Sequence, residues 1–194
     1  MTSTPLSRQL ADGTPARPVA LDAFKLARRK FMAGERIEMT RLAQELGVSR
    51  VTLNRWVGSR DLLVGEVNWS LAHPTLEGAR RRVTSTGADA VAETLEGFMA
   101  DVLATSYMRA FLAREPEIAL RILTTAGSGF QARLVAYVAM LIEQELPRKE
   151  LPLELDDLAY LIVRIAESFF YVDIIAGGTP DPGKAAVAVR ALLR

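Results

Sequence analysis

The stretch of eighteen residues from Met39 to Trp56 constrains the fold of this chain more than any other. Two short segments with helical apolar spacing flank Gly47, which suits a turn because glycine adopts positive φ without steric cost. Ser49 follows the turn, where its hydroxyl can cap the next helix by accepting hydrogen bonds from free backbone N–H groups. Val48 and Leu53 are spaced to fill a small core between the two helices. The stretch is therefore predicted to form a helix-turn-helix, in which two short helices cross steeply.

The rest of the chain also shows helical periodicity. A first helix is predicted from Val19 to Gly34, and Ser59 is predicted to cap a fourth helix that Pro74 interrupts, either as a kink or as the first turn of a new helix. Later helices are predicted near 88–105, 107–113, 116–126, 128–145, 154–176 and 181–193. Because no run alternates convincingly with a period of two, strands are not expected. The predicted fold class is all-α, with an amino-terminal three-helix helix-turn-helix domain and a carboxy-terminal helical domain.

The residue content argues against several kinds of chemistry. The chain has no cysteine, and its one histidine is His73, which excludes cysteine-based zinc sites, thiolate nucleophiles and multi-histidine metal sites. Neither a P-loop, a dinucleotide fingerprint nor a nucleophile elbow occurs, so no cofactor and no enzymatic activity are expected. The most apolar long segment, 158–176, contains Arg164, Glu167 and Asp173, and these charges make membrane insertion costly. We expect a cytoplasmic protein without a membrane partner.

Charge is distributed unevenly along the chain. Residues 17–60 hold ten Lys or Arg against four Asp or Glu, a formal charge of +6, whereas residues 61–194 hold thirteen against eighteen, a formal charge of −5. The basic part has the size of one small DNA-reading module. Residues 1–17 are predicted to form a flexible arm, which either has no role or enters a minor groove. Charge therefore indicates double-stranded DNA as a partner of the amino-terminal part.

The block LAQELGVSRVTLNRWVGSRDLL, with the predicted first helix before it and a helical remainder after it, resembles the TetR family of transcriptional regulators. The resemblance implies a helix-turn-helix DNA-binding domain over 18–64 and a helical effector-binding and dimerisation domain over 65–194. Within the family, the segment NRWVGSRDLLVGEV is similar to the corresponding segment of an actinobacterial subgroup, the repressors of quorum-signal lactone degradation. This similarity implies a lactone or an acyl chain as the effector.

The resemblance also implies roles for individual residues of the second helix of the motif. Arg50, Val51 and Thr52 match positions that face base edges, whereas Thr52, Asn54, Trp56 and Arg60 match positions that touch phosphates. Asn54 stands where the family usually has an aromatic residue, so its contact is left open between a phosphate and an adenine. Trp56 is as well suited to core packing. The complete set of predicted DNA-binding residues is Thr40, Arg50, Val51, Thr52, Asn54, Arg55, Trp56 and Arg60.

Two apolar groups of residues in the larger domain suggest a dimer interface and a ligand pocket. The family typically dimerises through its last two helices, and the predicted interface residues are Leu158, Ile162, Ile165, Phe169, Val189 and Leu192. Taken singly, each of these could equally belong to the core of one subunit. The predicted ligand-binding residues are Phe98, Met99, Tyr107, Phe111, Phe130, Arg133, Tyr137, Glu167, Phe170 and Tyr171. Such aromatic and methionine-rich linings with a few polar groups are typical of ligand pockets in helical proteins.

The hypothesis that follows is a homodimeric, ligand-responsive transcriptional regulator that a small apolar or amphipathic effector releases from a palindromic operator. One alternative is a lactone- or ester-binding enzyme or carrier with an incidental helix-turn-helix. A second is a nonspecific architectural DNA-binding protein, which would bind all sequences alike. An activator in place of a repressor is a third.

Overall fold

The computed structural model describes residues 17–194, and within them the chain is built from α-helices and short 3-10 turns. The α-helices are α1 (Ala20–Met32), α2 (Met39–Glu45), α3 (Arg50–Val57), α4 (Arg60–Arg82), α5 (Gly87–Ala104), α6 (Ser106–Arg114), α7 (Pro116–Thr124), α8 (Phe130–Glu145), α9 (Leu155–Phe170), α10 (Val172–Ala176) and α11 (Pro182–Leu192). Short 3-10 turns follow α7 at Ala126–Ser128 and α8 at Arg148–Glu150. The predicted all-α class is confirmed. The arm predicted over residues 1–17 lies outside the described residues except for Arg17.

Local chemistry explains the helix-turn-helix. Gly47 has a φ of 66°, in the left-handed region that the turn requires. The Ser49 hydroxyl accepts a hydrogen bond of 3.0 Å from the Thr52 backbone N–H and caps α3. Ser59 does the same for α4, accepting from the Leu62 N–H at 3.2 Å. These bonds satisfy backbone donors that a helix start leaves free, so the predicted helix starts are correct.

The helices form two groups that share one continuous hydrophobic core. In the amino-terminal part, α1 packs against α2, α3 and α4. In the carboxy-terminal part, α5 packs against α4, α8 and α11, and α9 packs against α8 and α11. The long α4 belongs to both parts, so the boundary predicted between 64 and 65 falls inside a helix. Among residues 17–194, no helix combines the length and apolar character needed to cross a lipid bilayer.

Two helix predictions need correction. Pro74 does not interrupt α4, which continues to Arg82. Its side chain lies on the exposed side of the helix, where the carbonyl left without an N–H partner can be solvated. The single helix predicted over 154–176 is divided at Tyr171 into α9 and α10, and the Tyr171 ring packs edge-on against Phe170 at 4.8 Å between centroids.

Candidate nucleic-acid interface and buried cavity

Helix α3 presents one exposed face. Arg50, Val51, Asn54 and Arg55 are exposed, and their spacing places them on the same side of the helix. Leu53 points the opposite way and is fully buried, which anchors α3 against the small core. The face therefore consists of two guanidinium groups, an amide and an apolar side chain that is 79% exposed. These groups can donate to bases and phosphates and contact a thymine methyl.

The charges of this face are not neutralised by the protein itself. Within residues 17–194, neither Arg50 nor Arg55 forms an ion pair. Thr40, at the start of α2, is exposed as well. The Thr52 hydroxyl is half-buried and lies 2.9 Å from the Ser49 hydroxyl, so it is already engaged in the cap. Trp56 is half-buried against the core, in agreement with the packing role.

Arg60 lies outside this face, at the start of α4, and its predicted phosphate contact stays a prediction. Its guanidinium donates to the Ile37 carbonyl oxygen at 2.6 Å and to the Glu115 carboxylate at 2.6 Å. Arg36 forms a second ion pair with Glu115, with 3.0 Å between Nε and Oε1. The Glu115 side chain is only 6% exposed, whereas the Arg60 side chain is 19% exposed and remains partly open to solvent. It connects the helix-turn-helix to the junction between α6 and α7.

A cavity of about 60 Å³ lies between α4, α5, α6, α7, α8 and α9. Seven of the predicted ligand-binding residues line it: Phe98, Met99, Tyr107, Phe130, Glu167, Phe170 and Tyr171. The remaining lining residues are Asn68, Leu71, Ala72, Thr75, Leu95, Val102, Met108, Leu123, Leu134, Val163 and Ala166. Pockets for small ligands have this mostly apolar character. The contribution of α4 to the lining was not predicted from the sequence. Asn68 could have indicated it, because it is a polar residue on the apolar side of a helix.

Three predicted ligand-binding residues do not line the cavity. Phe111 packs edge-on against Phe31 of α1, with 5.2 Å between ring centroids. Arg133 pairs with Glu66 and lies over the Trp69 ring at 6.0 Å. Tyr137 packs edge-on against His73 at 6.0 Å. Each has an alternative partner inside the protein that sequence spacing did not reveal.

Glu167 is the acidic group of the cavity. Its carboxylate accepts a hydrogen bond of 2.7 Å from Arg164 and, with the Gln131 amide oriented to donate, one of 2.8 Å from that side chain. Burial raises the pKa of Glu167 to about 7, and the Arg164 charge and the Gln131 hydrogen bond only partly oppose this. Burial also raises the pKa of the neighbouring Tyr171 hydroxyl. Near neutral pH the Glu167 carboxyl is therefore partly protonated.

The predicted dimer residues separate into two groups. Leu158, Ile162 and Val189 are fully buried in the single subunit and belong to its core, which corrects their assignment to an interface. Ile165, Phe169 and Leu192 are half-buried. On the same helices, exposed apolar side chains are presented by Tyr160, Leu161 and Val187. On these two helices, the exposed apolar side chains are displaced around the helix axis from the predicted stripe.

Comparison with known proteins agrees with this architecture. A family described as Tetracyclin repressor-like, C-terminal domain, matches residues 86–194. The structure is also similar to that of the R. erythropolis transcriptional repressor QsdR from the TetR family, with a TM-score of 0.82 and 26% sequence identity over 90% of this chain and 93% of that one. No match was found among curated protein sequences. The family match covers more than half of the chain and the structural match covers both domains, so the chain belongs to the TetR family of transcriptional regulators.

Proposed function

We propose that the protein is a repressor that binds a palindromic operator as a homodimer and leaves it when a small apolar effector occupies the cavity. The observation that carries this proposal is the exposed, unpaired basic face of α3 on a chain of this family. Arg50, Val51, Asn54 and Arg55 would enter the major groove, and Thr40 would contact the backbone beside it. The same geometry argues against an architectural protein, because side chains positioned for base edges confer sequence preference.

Dimerisation is proposed through the outer faces of α9 and α11, which pack against each other within one subunit. Val187 is 64% exposed and Leu161 38% exposed, and apolar surface of this kind is stabilised when a second copy covers it. Two such helices from each subunit would form a four-helix contact. A two-fold axis places two α3 helices on half-sites about 34–36 Å apart and explains why the operator would be palindromic.

Helix α4 is the proposed connection between the cavity and the reading head, by which we mean the helix-turn-helix formed by α2 and α3. It begins at Arg60, which is bound to Glu115, and it lines the cavity through Asn68, Leu71 and Thr75. A second route runs through Tyr107, which lines the cavity and packs on Phe31 of α1 at 5.8 Å. An effector that favours one position of these elements would change the spacing of the two α3 helices. A near-complete switch requires about a 10⁴-fold preference for one state. The mostly apolar lining would accept an acyl chain or a lactone.

The test is selection of bound sequences from random double-stranded DNA at fixed salt, followed by titration of the selected site. We expect a palindrome, and Arg50→Ala should weaken its binding by about 1–3 kcal/mol if the guanidinium reads a guanine. Arg148→Ala is the matched control. Arg148 lies three residues after Glu145, the last residue of α8, which pairs with Arg80. Arg80 lies twenty residues after the start of α4, roughly 30 Å along the helix from the reading head at 1.5 Å per residue. Selection of no consensus, or equal losses in the two variants, would contradict sequence-specific binding by α3.

A further inference from the structure

The cavity contains one buried hydrogen-bond acceptor for which the described residues supply no donor. Asn68 is only 2% exposed and lies on the cavity side of α4. Its amide Nδ2 donates to the Val64 carbonyl oxygen at 2.9 Å, which orients the side chain. Its Oδ1 has no hydrogen-bond partner within residues 17–194.

Two other polar side chains of the lining, Thr75 and Glu167, are already hydrogen-bonded within the protein. The Thr75 hydroxyl donates to the Leu71 carbonyl oxygen at 2.8 Å. Glu167 is held by Arg164 and Gln131. Asn68 differs from these two side chains, because its buried acceptor has no donor within residues 17–194. Such an acceptor destabilises the fold relative to an apolar side chain of similar size. Asparagine is also a poorer helix former than leucine in the middle of a helix.

The charges of the lining restrict what can bind there. No lysine, arginine or histidine is among the lining residues, and the acidic side chain is Glu167. A ligand carboxylate would be transferred from water into apolar surroundings without a cation to compensate it, which is unfavourable. Thirteen of the eighteen lining residues are apolar and would bind a hydrocarbon chain.

We propose that the effector is an uncharged, mainly apolar molecule with an N–H or O–H group, and that this group donates to Oδ1 of Asn68. This inference rests on the proposed function, in which the cavity is the effector site, and it names the chemistry of the ligand. Asn68 lies eight residues after Arg60 on the same helix, about 12 Å along its axis. The donor would thus bind to the helix that begins at the reading head.

A pair of amides that differ in one donor tests the proposal. N-methyldecanamide has an N–H, whereas N,N-dimethyldecanamide has none, and decanoate adds the charge that the cavity should reject. Calorimetric titration of the full chain should show about tenfold tighter binding of the N–H amide, with decanoate the weakest of the three. In Asn68→Leu the difference between the two amides should disappear, while the dimethyl amide binds at least as well as before.

Several results would overturn the proposal. Equal binding of the two amides by the wild-type protein would show that no donor is recognised, and binding by neither would show that such molecules do not enter the cavity. A preference that persists in Asn68→Leu would mean that the extra methyl group is rejected by its size. If that variant does not fold, the comparison of the amides on the wild-type protein still decides. Release of operator DNA is measured separately: selective binding without release would support the Asn68 contact and contradict the proposed switch.

Discussion

Replacement of Gly65 by alanine tests how closely α4 must approach the turn at Ala126–Ser128. A Cβ atom on Gly65 would lie 2.7 Å from Ser128 Cβ and 2.8 Å from the Ser128 backbone oxygen. Carbon atoms are in favourable contact at about 3.5–4.0 Å, so the helix or the turn would have to move. The Ser128 hydroxyl donates to the Ile122 carbonyl oxygen and accepts from the Phe130 N–H, and these bonds hold the turn in place. Overpacking of this kind costs about 1–3 kcal/mol, whereas alanine gains about 1 kcal/mol in helix propensity.

We expect Gly65→Ala to lower the free energy of unfolding by about 1–2 kcal/mol, because a backbone atom relaxes less readily than a side chain. Gly78→Ala is the matched control in the same helix. The nearest atoms to its added Cβ are flexible arginine ends at 3.7 and 3.9 Å, so this variant should gain up to about 1 kcal/mol. Urea denaturation at equal protein concentration measures both, since a dimer's stability depends on concentration. If Gly65→Ala proves as stable as Gly78→Ala, the close approach of α4 to the turn does not limit stability.

Three further perturbations address the domain junction, the cavity carboxyl and the dimer. Glu115→Gln removes a buried charge that binds two arginines and should lower the free energy of unfolding by about 2 kcal/mol. Asp101→Asn, in an exposed ion pair, should change it by less than about 0.5 kcal/mol. Similar losses in the two variants would contradict a stabilising role of the Glu115 ion pairs. The raised pKa of Glu167 means that the folded state disfavours its charged form, so wild-type stability should fall as pH rises from about 4.5 through 7. Glu167→Gln should therefore be more stable at pH 8.5 by up to about 3 kcal/mol and lose this advantage near pH 4.5, and a gain independent of pH would refute the assignment. Leu161→Glu should yield monomers, as measured by light scattering. Met140→Glu should remain dimeric, although Met140 is 39% exposed and Leu161 is 38% exposed. A dimeric Leu161→Glu variant would exclude the proposed interface.

Much of the helix-turn-helix could be predicted because its determinants are local. The hydrogen bond from the Thr52 N–H to Ser49 spans three residues, and the positive φ at Gly47 depends on that residue alone. The all-α class followed from periodicity in the same way. At Pro74, the local rule predicted an interruption, but packing of α4 on both sides of the proline keeps the helix continuous.

The candidate site was predictable only in part. Most of the predicted aromatic and methionine residues line the cavity, because large apolar side chains gather wherever helices enclose space. The ion pairs of Arg60 and Arg133 were not predicted, because their partners, Glu115 and Glu66, lie 55 and 67 residues away in the sequence. The acceptor on Asn68 was missed because its lack of a donor becomes visible only when the neighbouring helices are in place.

The amino-acid sequence by itself determined the family, the helical class and the helix-turn-helix, since caps, turns and periodicity act within a few residues. Within residues 17–194, tertiary structure decided which arginines form no ion pair, which apolar residues of α9 and α11 stay exposed, and which polar atom in the cavity lacks a donor. A stripe such as Leu158 and Ile162 shows only that a helix has an apolar face. Whether that face meets its own subunit or another depends on long-range packing, which local patterns do not encode.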